Sequence, residues 1–188
     1  MILTDREIKM ALERGSLVID PRPDERAFAS TSVDLTLDQT FSIFRQSEPG
    51  VDVSIDPALE GFNHDAAMAQ VTERRTIDQT QGFLLEPKTL ILGWSKEYID
   101  LRNDARIAAR VEGKSSLGRL GLGVHVTAPT IHAGFDGRIR LEIINHGRIP
   151  IRLRTGMRIC QLIFEQTFGT PDKGYSGRFS GQNAGRTG

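Results

Sequence analysis

The chain has 188 residues, with 24 lysines and arginines against 24 aspartates and glutamates. Its formal net charge of zero argues against a nucleic-acid polymer or a membrane surface as partner, so any phosphate binding has to come from a local cluster. One cysteine, Cys160, excludes an internal disulfide and fits a reducing cytoplasm; no stretch reads as a signal peptide or a bilayer span.

Thr4-Asp5-Arg6-Glu7 is a capping box, and Ile8, Ala11 and Leu12 then share one face up to Gly15, predicting a helix over about 5–14. Strands are expected over 16–20, ended by Pro21, over 32–37, where polar and apolar residues alternate, and over 41–44. Residues 46–81 are weakly patterned and read as loops with short strands and a helical turn near 66–70. Two short strands, 83–87 and 90–94, flank Pro87-Lys88. Beyond residue 105 strand patterns dominate: 107–111, 124–128, 138–143, 149–153 and 159–164. In the third of these, Ile139, Leu141 and Ile143 share one face, while Arg138, Arg140 and Glu142 share the other. After Thr167 the chain is rich in Gly, Ser, Asn and Arg, a segment that cannot bury a core and is either disordered or ordered by a ligand or partner. With 6% aromatic residues, 19 glycines and no internal repeat, the expectation is a single all-β domain over 1–188: a distorted jelly roll or sandwich with a short N-terminal helix.

The chemistry concentrates at Gly113-Lys114-Ser115-Ser116-Leu117-Gly118-Arg119-Leu120-Gly121-Leu122. Two cations and two hydroxyls within six positions form a candidate polyanion surface, with a solvated turn as the plainer reading. It is not a P-loop, because Ala108 stands where that motif needs its first glycine. Glu142, between two arginines on a polar strand face, is either an ion-pair member or a general base. The histidines are 64, 125, 132 and 146; none is followed by Glu two positions on, and no H-E-x-x-H occurs. With a single cysteine, a zinc site of the nucleobase-deaminase type is therefore unsupported. Cys160 reads as an inert core thiol, and no G-x-S-x-G element surrounds Ser115 or Ser116.

The run 113–122, followed by Val124-His125-Val126-Thr127-Ala128, Gly134-Phe135-Asp136-Gly137, Leu141-Glu142-Ile143 and Asn145, resembles the dCTP deaminase branch of the dUTPase superfamily. Ser32-Val33-Asp34-Leu35 is similar to that family's early strand, and Tyr175, Arg178-Phe179 and Gly181-Gln182 to its closing segment. The resemblance implies a dUTPase-like sandwich and a homotrimer with sites between subunits. It implies dCTP as substrate, dTTP as an inhibitor, and Mg2+ carried on the triphosphate, with no zinc. Residue by residue it implies Glu142 as the catalytic glutamate and Ser115, with the backbone of Ala128, as holders of the attacking water. It implies Arg119 as the catalytic arginine beside the base and phosphates, and His125 near the site. Lys114, Ser116, Tyr175, Arg178 and Gln182 become triphosphate contacts, the last three from a C-terminal lid at about 169–188. One departure is His132, where many relatives carry an aspartate that contacts the deoxyribose. The implied reaction is zinc-independent deamination of dCTP to dUTP and ammonia, supplying dUTP for dUMP and dTTP synthesis. A bifunctional enzyme giving dUMP and pyrophosphate and a non-catalytic nucleotide-binding trimer stay open as alternatives.

Overall fold

The computed structural model describes residues 1–46, 54–173, 175, 177, 181 and 182. Helix α1 (Asp5–Glu13) opens the chain. Strands β1 (Leu17–Asp20), β2 (Phe28–Ala29), β3 (Ser32–Thr36) and β4 (Thr40–Phe44) follow. Then come α2 (His64–Val71), β5 (Thr72–Thr76), β6 (Phe83–Leu85), β7 (Leu90–Leu101) and β8 (Ile107–Gly113). The short turn of helix α3 (Ser115–Gly118) leads into β9 (Leu122–Val124) and β10 (Thr130–Ile131). Strands β11 (Asp136–Asn145), β12 (Ile151–Leu153) and β13 (Arg158–Gln166) complete the order.

Two sheets make a distorted sandwich. One runs β5-β4-β7-β11-β9, with β1 added on β7; the other runs β10-β8-β13-β3-β2; β12 and β6 form a separate pair. The inward residues of both sheets, among them Val33, Leu35, Ile99, Val111, Leu141, Ile143, Leu162 and Phe164, fuse into one apolar cluster. Cys160 is buried in it, as the strand pattern implied.

The N-terminal helix forms as the sequence predicts. Ile8 and Ala11 are buried, Asp5 and Glu7 lie at the positive end of the helix dipole, and the Thr4 hydroxyl donates to the Glu7 carboxylate instead of accepting from the backbone. Gly15, at φ +66°, ends it: Gly15 N donates to Leu12 O and Ser16 N to Ala11 O, a Schellman closure that needs a left-handed residue.

Three expectations change. The strand expected over 90–94 runs on to Leu101, because Ser95 and Glu97 are buried and break the apolar alternation without breaking the strand. Glu97 is satisfied across the sandwich, accepting from Thr36 N at 2.9 Å and from Thr36 Oγ1 at 2.6 Å. Ser95 Oγ accepts from Ile139 N at 2.9 Å, where the β7–β11 register shifts between Arg138 and Arg140. The helical turn near 66–70 is the two-turn α2, capped by Asn63 Oδ1 on the N–H groups of Asp65 and Ala66. β5, a run of TERRT, is one of the short strands expected over 46–81 and owes its form to pairing along β4. Finally, the strand expected over 124–128 stops at Val124, and residues 125–129 run irregularly.

Candidate active site

β11 supplies the scaffold of the site. Its side chains alternate without a break: Ile139, Leu141 and Ile143 are buried in the core, and Arg138, Arg140 and Glu142 point from the other face. The two arginines are engaged away from Glu142. Arg138 Nη1 is 3.0 Å from Asp38 Oδ2. Arg140 lies opposite Trp94 in the ladder, stacks over its ring at 4.5 Å, and donates to Ser42 Oγ at 3.0 Å. Burial, reinforced by Arg74, lowers the Arg140 pKa to about 10, while the charge of Glu142 opposes the shift. Arg140 therefore stays a cation at neutral pH and contributes positive potential beside Glu142.

What touches Glu142 is His125. Ile143 pairs with Val124 across β11 and β9, so the residue after Val124 arrives beside the residue before Ile143. The Nδ1 of His125 and the Oε2 of Glu142 are 2.5 Å apart, with side chains 9% and 29% exposed. The two atoms face each other directly, and neither has a hydrogen-bond partner elsewhere among the described residues.

The loop that follows is held in unusual geometry. The Val124–His125 peptide is cis, and Ala128 sits at φ +53°. The left-handed region costs an alanine about 1–2 kcal/mol, and residues held there concentrate at functional sites.

The cation-rich turn lies next door. Gly113 abuts the Val124 carbonyl so closely that a Cβ would come within 2.5 Å of it, and α3 packs on β9. Ser115, Ser116 and Arg119 are exposed, with their side chains unpaired among the described residues. Lys114 differs: its Nζ is paired with Asp34 of β3, and Arg158 Nη1 reaches the other oxygen of Asp34 at 3.8 Å. The turn is fixed from below by Asn145, which is completely buried. Its Nδ2 donates to Leu85 O and Ile149 O, its Oδ1 accepts from Gly147 N, and His146 N donates to Gly121 O.

The sequence-predicted residues therefore converge in part. Glu142, His125 and Ala128 lie around the end of β9, with Ser115, Ser116 and Arg119 on the adjoining turn. Tyr175 and Gln182 dock elsewhere on the same chain, at the start of β11, and Arg178 falls outside the described residues. Sequence reasoning missed the clamp by Asn145, the Lys114–Asp34 pair and the Trp94–Arg140 stack. Spacing carries no signal for the last two, whose partners are distant in the chain; the Asn145 clamp is local toward Gly147 and Ile149, but its bond to Leu85 is not.

A carboxylate–imidazole pair on one outer face of the sandwich stands beside a turn that exposes two hydroxyls and a guanidinium, an arrangement able to exchange protons and to receive an anion. The sequence profile of dCTP deaminase-like proteins matches residues 2–167. A Methanobrevibacter smithii protein named "dCTP deaminase, dUMP-forming" is 41% identical over 170 residues, 90% of this chain and 82% of that protein. A Marinomonas protein named "dCTP deaminase" is 39% identical over 179 residues, 95% of this chain and 90% of that one. The crystal structure of 2'-deoxycytidine 5'-triphosphate deaminase from Agrobacterium tumefaciens superposes with a TM-score of 0.64 at 25% identity, over 87% of this chain. This chain spans about half, 47%, of that longer one. The chain belongs to the dCTP deaminase family.

Proposed function

We propose that the chain catalyses hydrolytic deamination of dCTP to dUTP and ammonia, with Glu142 carrying the protons. The observation that carries this reading is the Glu142–His125 pair: a carboxylate and an imidazole held 2.5 Å apart on a face that bears no core function. Water adds to C4 of cytosine, and Glu142 takes the proton from the breaking O–H bond. That proton passes to N3. The second water proton leaves with the amino group as the C4–N4 bond breaks, so the ring gains a C4 carbonyl and an N3–H. One carboxylate serves as base and then acid, a role worth about 10²–10⁴-fold in rate. Contact with His125 on one oxygen orients the carboxylate and leaves the other for the reacting water.

Ser115 and the Ala128 carbonyl are assigned to hold that water, and the strained φ of Ala128 supports the assignment. Arg119 is assigned to the base and phosphates, and Lys114, Ser116, Tyr175, Arg178 and Gln182 to the triphosphate. Lys114 then shares its charge between Asp34 and phosphate. Among the described residues no three His, Cys, Asp or Glu side chains stand together as metal ligands. A Mg2+ would be held mainly by the triphosphate oxygens, where it would supply charge neutralisation. Leu120, Val126 and Ile149 are 67%, 57% and 77% exposed around the site, which supports burying this face in a homotrimer. No helix among the described residues is long and apolar enough to cross a membrane, which accords with a cytoplasmic place.

The name of the Methanobrevibacter relative favours a second reading, in which the same site goes on to dUMP and pyrophosphate. Incubation with dCTP and with dUTP, each with Mg2+, separates the two. Ammonia alone from dCTP supports the deaminase, and ammonia with pyrophosphate supports the bifunctional enzyme. No ammonia from dCTP refutes both.

A further inference from the structure

We propose that Trp94, together with Ser42, is a positioning residue for the reaction: it holds Arg140 off Glu142 and so keeps the carboxylate from closing an ion pair that would withdraw it from proton transfer. The kinetic part rests on the deaminase reading above. Arg140 is the cation best placed to neutralise Glu142. The two stand at alternate positions on the outer face of β11, roughly 7 Å apart along the strand, and opposite charges that near attract strongly. Ile144 lies on the other side of Glu142, and Leu92 opposes it on β7. Arg138 is two positions further off and is taken by Asp38. Yet Arg140 forms no ion pair among the described residues. Its guanidinium lies over the Trp94 ring at 4.5 Å and donates to Ser42 Oγ at 3.0 Å.

Three strands build this restraint. Trp94 faces Arg140 directly in the β7–β11 ladder, and directly opposed residues share one face of a sheet. The indole therefore stands on the outer face, and with Arg140 over it only 5% of Trp94 is exposed. Ser42 pairs with Leu92, which in turn pairs with Glu142, so the hydroxyl that anchors the guanidinium is two strands, roughly 10 Å, from the position of the carboxylate.

Arg74 opposes Ser42 on β5, so a second cation lies on the far side of the anchor. Burial first and Arg74 second disfavour the charge on Arg140, whereas Glu142 favours it. Repulsion from β5 and attraction from β11 thus pull the guanidinium the same way, and the ring and hydroxyl hold it against both. The sequence left Glu142 open between ion-pair member and general base; a residue on the neighbouring strand makes that choice.

The test uses the full-length protein and frees the guanidinium in two ways, by Trp94→Leu and by Ser42→Ala. The second removes one hydroxyl and guards against a folding defect at the buried ring. Each is made with Arg140 present and with Arg140→Leu. For Trp94→Leu, kcat for ammonia release from saturating dCTP with Mg2+ should fall about tenfold or more, bounded by the 10²–10⁴-fold that such a proton-transfer group contributes, and by less for Ser42→Ala. Adding Arg140→Leu should restore most of the loss. A packing role alone predicts the reverse, since a second truncation at one contact adds damage. Independently of activity, Glu142→Gln in the Trp94→Leu background should lower the urea midpoint more when Arg140 is present than when it is replaced, and this difference should exceed the one in the wild-type background. Unchanged kcat in both folded variants, a loss that Arg140→Leu does not restore, or no larger difference in urea midpoint would each overturn the proposal. If wild type releases no ammonia, the deaminase reading fails alone, and the urea cycle still decides whether Trp94 keeps Arg140 from Glu142.

Discussion

Asn145→Ala removes the clamp beneath the cation-rich turn. The side chain makes three hydrogen bonds, to Leu85 O and Ile149 O at 3.0 Å and from Gly147 N at 2.9 Å. Each contributes about 0.5–1.5 kcal/mol, and Leu85 is fully buried, so water cannot replace its lost donor. The sum is about 3 kcal/mol. For a chain of this size 1 kcal/mol moves Tm by about 2–4 °C, so the melting temperature should fall by about 6–12 °C in a calorimetric scan. Function should suffer as well. Residues 145–147 hold Gly121 through His146 N, and a Cβ on Gly121 would stand 2.7 Å from Gly147 N, so the two turns fit as one piece. Loosening that piece displaces the turn that carries Ser115 and Arg119, and under the proposed function kcat/KM for dCTP should fall with the stability. A drop in Tm below about 2 °C, the least that 1 kcal/mol produces, with unchanged turnover would show that other contacts hold the turn and that this reasoning is wrong.

Further outcomes follow from the same geometry. Leu141→Ala, at a residue with no exposed surface, should cost about 2–5 kcal/mol in urea unfolding, and a smaller loss would mean that the sandwich collapses around the gap. Burial pushes the Cys160 thiol far above its ordinary 9.0, so the folded protein keeps its proton at a pH where the unfolded chain releases it. Stability is then unaffected below that range and declines by up to about 1.4 kcal/mol per pH unit within it; a Cys160→Ala variant with the same alkaline slope would exclude this cause. Asp34→Asn releases Lys114 from its ion pair, and KM for dCTP should change more than kcat; an altered kcat alone would place Asp34 in the chemistry. Arg140→Ala uncovers Trp94, and tryptophan emission should shift, whereas an unchanged spectrum would argue against the stack in solution.

The local patterns of the sequence carried much of the architecture. The alternation over β11 placed Glu142 on the outer face, and the helix stop at Gly15 is met to the residue. Where interior positions are polar, as at Ser95 and Glu97 in β7, period-two reading fails, because those groups are satisfied across the sandwich and at a register shift. β5 has no apolar face at all and owes its form to β4. At the site, residue types suggested proton chemistry, but the His125–Glu142 contact depends on the pairing of Ile143 with Val124, a tertiary fact that no local spacing encodes. The docking of Gln182 on Gly137, 45 positions away, is of the same kind.

The central claim is that Glu142 moves the protons of deamination. It is tested most directly by Glu142→Gln, which keeps size and polarity and removes the base. With dCTP and Mg2+, nucleotide binding measured by calorimetry should persist, while ammonia release falls by at least about 10²-fold. Ammonia release at the wild-type rate in that variant would contradict the account.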